Sequence, residues 1–193
     1  MSSQDRDKWN KRYQDGWYQS RSHASEYLIK RLTENRYHHA LDLGCGLGRN
    51  INFLKDICDQ VTGIDISNVA IQKNIEATSD LDKIHWHCLD LCNLSEIDFK
   101  EYDLIVIVRF MNNKLIQKLP ALCQPGTEFI IEQHLETDLK VAGPTSRSHR
   151  MKKNEIRELL DSCLFLDFFE GIDNDPDGKT VSLVKCHVKN IRE

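Results

Sequence analysis

A chain of 193 residues with 40% apolar and 29% charged residues suits one domain, long enough to bury a core of its own. Its net charge of -4 supplies no broad basic field, which weighs against DNA as a partner. The opening Met1-Ser2-Ser3-Gln4-Asp5-Arg6-Asp7-Lys8 is too charged for a signal peptide, and the longest aliphatic run, Leu104 to Val108, is too short to span a bilayer; a cytoplasmic location without membrane attachment is expected.

Trp9, Tyr13 and Trp17 recur at spacing four, which predicts a helix with three aromatics on one face, either packing the core or covering a ligand. A second helix is predicted over 24–32. Ala40 to Leu43 then reads as a strand that runs into Gly44-Cys45-Gly46-Leu47-Gly48, followed by a helix over 50–56 carrying Ile51 and Leu54. Glycines at a strand-to-helix turn allow tight backbone turning and close approach to a ligand. Dinucleotide turns usually read G-x-G-x-x-G, but here the third glycine comes one residue early and Arg49 stands in the later place. Asp42, two residues before the glycines, would repel a pyrophosphate and suits the cationic methionine end of S-adenosylmethionine.

The next strand, 60–66, ends in Asp65 about 20 residues beyond the turn, where an acid can accept hydrogen bonds from both ribose hydroxyls. Ser67 reads as the cap of a helix over 68–77. A strand over 83–91 ends in Asp90, placed for an adenine amino group, with Leu91 offering its amide. A short helix near Leu94, a strand over 102–108, a helix over 113–122, a strand over 128–133 and a helix over 154–163 follow. Such alternation predicts parallel strands with helices on both faces. Strand-like runs at 164–169 and 180–188, joined by the turn-rich 173–178, predict an antiparallel hairpin at the sheet edge. The whole is read as a Rossmann-like, doubly wound α/β sheet of seven strands, in one domain over 1–193 with a helical arm over 1–36.

Trp9-Asn10-Lys11-Arg12-Tyr13, the glycine turn with Gly48-Arg49-Asn50, Asp65-Ile66-Ser67, Asp90-Leu91 and Pro125-Gly126 together resemble the class I S-adenosylmethionine-dependent methyltransferases. Among these the chain is most similar to the tellurite-resistance and thiopurine-type small-molecule enzymes. The resemblance implies an arm folded over the cofactor through Trp9 and Tyr13. It implies a cofactor site drawn from Asp42, Gly44, Cys45, Gly46, Gly48, Asn50, Asp65, Ile66, Asp90, Leu91, Val108 and Arg109. It also implies transfer of a methyl group to a small acceptor, a soft sulfur, selenium or tellurium nucleophile being one candidate. Methylation of RNA or protein through the basic 147–153 stretch, or a binding module without transferase activity, are the alternatives.

The acceptor side is expected beyond the strand ends, at Arg109 and His134. Arg109 could bind an anionic acceptor or pair with Asp90 or Glu132; His134 could serve as a general base or stand as a solvent-exposed strand-end residue. No Asn-Pro-Pro-Tyr-like motif follows the 102–108 strand, which disfavours methylation of an adenine amine. Asp173, Asp175, Asp177 and Gly178 open like a calcium loop, but Val184 replaces the closing glutamate and Pro176 interrupts it. His85, His87, Cys88 and Cys92 do not converge on a strand, and the seven scattered cysteines contain no C-x-x-C pair, so reduced thiols and no metal are expected. Monomer and dimer are both compatible with the sequence.

Overall fold

The computed structural model describes residues 3–19 and 21–192. Met1, Ser2 and Ser20 of the predicted arm, and Glu193 at the end of the predicted domain, lie outside the described residues. Seven strands form a mixed sheet in the order β3-β2-β1-β4-β5-β7-β6, and the chain divides into two compact units, Met1–Val106 and Ile107–Glu193.

The first unit holds α1 (Ser3–Gln14), α2 (Glu26–Leu32), β1 (Tyr37–Leu43), α3 (Ile51–Ile57), β2 (Cys58–Asp65), α4 (Asn68–Ala77) and β3 (Ile84–Cys88), and enters β4 (Leu104–Val108). β1 pairs in parallel with β2 and β4, and β2 with β3. Parallel strands flanked by helices bury both faces, so β1 and β4 read as almost unbroken buried runs instead of alternating ones. Leu28, Leu32, Leu41, Leu43, Leu54 and Ile64 are fully buried in this unit. β1 begins three residues earlier than its apolar run suggests, because Tyr37 pairs with Cys58.

The predicted aromatic stripe is interrupted. α1 ends at Gln14, Gly16 and Tyr18 both take positive φ (79° and 69°), and Trp17 leaves the helical face to stand 51% exposed. Tyr18 takes its place in the cluster, its ring centroid 6.2 Å from Trp9 and 6.1 Å from Tyr13.

Gly63 explains a feature of β2 that no motif announces. It pairs with Trp86 of β3, and a Cβ there would lie 2.5 Å from the Trp86 ring and 3.1 Å from Cys45 Sγ. Trp86 is fixed from its other end by Nε1 donating to Thr78 Oγ1 at 2.9 Å. Gly63→Ala is therefore expected to destabilise the chain by about 1–3 kcal/mol through overpacking, measured by denaturant unfolding; wild-type stability would show that the indole can move aside.

The second unit continues from the end of β4 through α5 (Asn113–Leu122), β5 (Glu128–His134), α6 (Glu155–Leu159), β6 (Cys163–Asn174) and β7 (Thr180–Asn190). β7 pairs antiparallel with both β5 and β6. Phe129, Leu115, Leu119, Val184 and Cys186 form its buried centre. Asn112 starts α5 by accepting the Leu115 N–H at 3.1 Å. α6 is half the predicted length: Asn154 sits in the left-handed region (φ 65°) outside the helix, and Cys163 is already paired with Asn190. β6 runs on to Asn174 with a bulge between Phe165 and Asp167, so the hairpin turn is tighter than the 173–178 expected. Among the described residues no helix is long and apolar enough to cross a membrane.

Candidate cofactor site

The turn after β1 is held by its neighbours' backbone and by two side chains. The N–H groups of Gly44 and Cys45 both donate to the Ile64 carbonyl, at 2.8 and 3.0 Å. Gly46 donates its N–H to Asp65 Oδ2 at 2.9 Å, and its carbonyl accepts from Asn74 Nδ2 at 2.8 Å. The other carboxylate oxygen of Asp65 accepts the Ser67 N–H at 2.9 Å, and Ser67 Oγ accepts the Ala70 N–H to cap α4. Asp65 thus braces the glycine turn and the start of α4 together, one oxygen to each, leaving further lone pairs on both oxygens. Burial raises its pKa against the backbone N–H groups of Ser67, Gly46 and Ile66, which lower it. Asn74 was invisible as a site residue in the sequence; its only signal is a buried amide among the apolar positions of α4.

Asp42 lies behind the turn with 1% of its surface exposed. Asn50 Nδ2 donates to its Oδ2 at 3.4 Å, while Asn50 Oδ1 accepts the Ser25 N–H at 3.2 Å, so one side chain ties the first acid to the cap of α2. Burial pushes the Asp42 carboxyl up to about 7, and the Asn50 amide and Arg49 pull in the opposite direction.

The arm is docked on α4. Ser67 Oγ donates to Asn10 Oδ1 at 2.7 Å, and Lys73 Nζ donates to the Tyr13 carbonyl at 2.7 Å near the end of α1, where an orphan carbonyl favours a cation. Trp9 stacks on Tyr13 with ring centroids 6.0 Å apart. The Tyr13 hydroxyl reaches the turn itself: a Cβ on Gly46 (φ 53°) would lie 2.7 Å from it. At Gly48 the corresponding neighbour is the Trp86 ring, also at 2.7 Å, so this glycine makes room for the protein's own indole. Burial first, and Asp65 second, raise the Tyr13 phenol far above its ordinary value.

Cys45, Ile66 and Leu91 are buried. Asp90 is half-buried and accepts the Cys92 N–H at 2.9 Å; burial alone would raise its pKa, but that bond and its companions leave it lowered.

In the second unit, Val108 is buried and Arg109 follows with φ 60°, a conformation rare for a side chain of this size. Its guanidinium is fully engaged. Nε donates to Glu132 Oε1 at 2.7 Å, Nη2 to Asp175 Oδ1 at 2.7 Å, and Nη1 reaches His134 Nε2 at 2.9 Å. The pairing with Glu132 was one of the two sequence readings; Asp175 was not foreseen, because only the long β6–β7 hairpin brings it there. A guanidinium only donates, so His134 Nε2 is the unprotonated acceptor and its lone pair is taken. The ring also lies against Gly143 (φ 114°), where a Cβ would come within 2.5 Å of it. His134 is thus neither the solvent-exposed histidine nor the free base that the sequence suggested.

The aspartates of the calcium-like turn have cations of their own. Asp173 takes Lys185 Nζ at 2.5 Å, Asp175 takes Arg109, and Asp177 takes Lys179 Nζ at 2.7 Å. The basic 147–153 stretch is likewise less available than its composition suggests. Arg150 turns inward to the carbonyls of Pro144, Leu135 and Ala142, at 2.8, 3.0 and 3.3 Å, and Arg147 pairs with Asp138 at the surface.

A strand-turn-helix with three glycines, acids at 42, 65 and 90, and a sheet finished by an antiparallel pair give the chain a Rossmann-like fold with a glycine turn flanked by acids. Residues 40–126 match the methyltransferase domain family. TehB from Haemophilus influenzae superposes with a TM-score of 0.69 at 23% identity, covering 86% of this chain; the chain spans 61% of the length of TehB. The N-methyltransferase NodS from Bradyrhizobium japonicum WM9, solved with S-adenosyl-L-homocysteine, gives 0.66 at 17% identity over 86% of this chain and 85% of its own. A SAM-dependent methyltransferase from Methanosarcina mazei gives 0.68 at 16% identity over 88% of this chain and all of its own. At such identities the neighbours establish the fold. No curated protein sequence matches the chain significantly.

Proposed function

We propose that the whole chain, acting as one catalytic domain in the cytoplasm, transfers the methyl group of S-adenosylmethionine to a small-molecule acceptor. The observation that carries this reading is the pair of acids flanking the glycine turn. Asp65 braces the turn through Gly46 with lone pairs to spare, and Asp42 is buried behind it where a cationic ligand would offset its charge. A pyrophosphate would meet two acidic side chains at the same place and no cationic ligand group to offset them.

In this reading Asp65 accepts the ribose hydroxyls, Asp90 and the Leu91 amide hold the adenine, and Asp42 faces the methionine end. Gly44, Cys45, Gly46, Gly48 and Asn50 shape the backbone around the ligand, Ile66 lines it, and Trp9 and Tyr13 cover it. When bound, the cofactor supplies a methyl group on a sulfonium, activated for in-line displacement. The protein's part is to hold donor and nucleophile in line and exclude water, which is worth about 7–11 kcal/mol of effective molarity. Such chemistry needs no strong base when the nucleophile is a thiolate, selenide or telluride, and His134 Nε2, engaged by Arg109, is poorly placed to act as one. The engagement of Arg109 also favours a structural role over capture of an anionic acceptor.

Incubation with methyl-labelled cofactor and fractionated cell extract tests the reading. Label is expected in the small-molecule fraction. Label in RNA or protein would overturn the acceptor class, and cofactor binding without any transfer would favour a binding module.

A further inference from the structure

Three carboxyl groups are buried among the described residues, and they are compensated very differently. Glu132 faces Arg109 at 2.7 Å and Lys185 at 4.0 Å. Asp65 accepts two backbone N–H groups at 2.9 Å. Asp42 is the most deeply buried of the three, and the side chain that bonds it is a neutral amide at the long distance of 3.4 Å. The titratable groups that face it are Arg49 and Cys45 of the turn and Asp65 of β2; its sheet neighbours, Gly63 and Val106, carry no charge. An ionised carboxylate in such a place is only partly compensated, by the long Asn50 bond and by Arg49, whereas a protonated one is tolerated.

We propose that Asp42 holds a proton in the free protein and releases it to solvent when the positively charged amino-acid end of the cofactor docks. The inference rests on the cofactor reading above. The carboxyl O–H bond breaks, its electron pair remains on the carboxylate to face the incoming cation, and the proton passes to a buffer base. Binding is then linked to pH: the proton must leave before or as the ligand arrives, so affinity rises with pH until Asp42 is ionised beforehand. The burial-raised pKa of about 7 puts that change in the neutral range.

Calorimetry with S-adenosylhomocysteine in phosphate and in Tris, from pH 6 to pH 8, tests the linkage. The heats are expected to differ between buffers in proportion to their ionisation enthalpies, with about half a proton released per site at pH 7 and affinity tightening about tenfold from pH 6 to pH 8. Asp42→Asn should bind without the buffer difference and with a flat pH profile. Adenosine, which lacks the amino-acid end, should bind wild type without releasing the proton. Equal heats in the two buffers with pH-independent affinity would overturn the proposal while leaving the cofactor reading intact, as would proton release that persists in Asp42→Asn. Failure to bind the ligand at any pH would overturn the cofactor reading, and the proposal with it.

Discussion

Arg109→Ala is expected to lower the unfolding free energy by about 3–5 kcal/mol, the range for removing one partner of a buried ion pair. The guanidinium side chain is 12% exposed and Glu132 only 6%, so solvent cannot replace the lost partner at that carboxylate. Lys185, at 4.0 Å, offers only partial compensation. Asp175 also loses its cation, which should loosen the tip of the β6–β7 hairpin. The double variant Arg109→Ala/Glu132→Gln should recover part of the loss, since the stranded charge is gone, and a double-mutant cycle in denaturant measures that coupling. Arg109→Lys should rescue incompletely, because an ammonium cannot span Glu132, Asp175 and His134 in one plane. Unchanged stability with impaired methyl transfer would reassign Arg109 to acceptor binding.

Asp65→Ala is expected to weaken S-adenosylhomocysteine by about 2–4 kcal/mol, read by calorimetry, through loss of charge-assisted bonds to the ribose. The structure adds a second consequence. The N–H groups of Gly46 and Ser67 lose their acceptor, so the turn and the start of α4 slacken and the melting temperature falls as well. Asp65→Asn separates the two effects: its amide oxygen can still accept one of the two N–H groups, while the charge is lost. A folded Asp65→Ala variant with wild-type affinity would remove this residue from the cofactor site.

Much of this molecule was legible in one dimension. The strands entering the glycine turn, the Ser67 cap, α5 and the C-terminal hairpin all follow from local rules of periodicity, capping and turn chemistry, and each recurs within a few residues of its expected place. The acids at strand ends stood out because a carboxylate directly after an apolar run is chemically conspicuous. Other site residues gave no such signal. Asn74 was one polar letter in an amphipathic helix, and Tyr18 lay beyond the stripe that Trp17 was expected to complete.

By itself, then, the sequence determined the class of fold, the glycine turn and its acids, because these depend on neighbours in the chain. Partnership across the chain was decided by tertiary structure. Arg109 meets Asp175 at a separation of 66 residues, Gly46 meets both Asp65 and Asn74, and Arg150 turns from a presumed basic patch to three backbone carbonyls. The physical reason is desolvation: a charge leaving water must find compensation wherever the fold places it, and side-chain spacing along the chain carries no record of which distant group that is. The same charge that looked available for a ligand in the sequence is, in the folded chain, already neutralised from within.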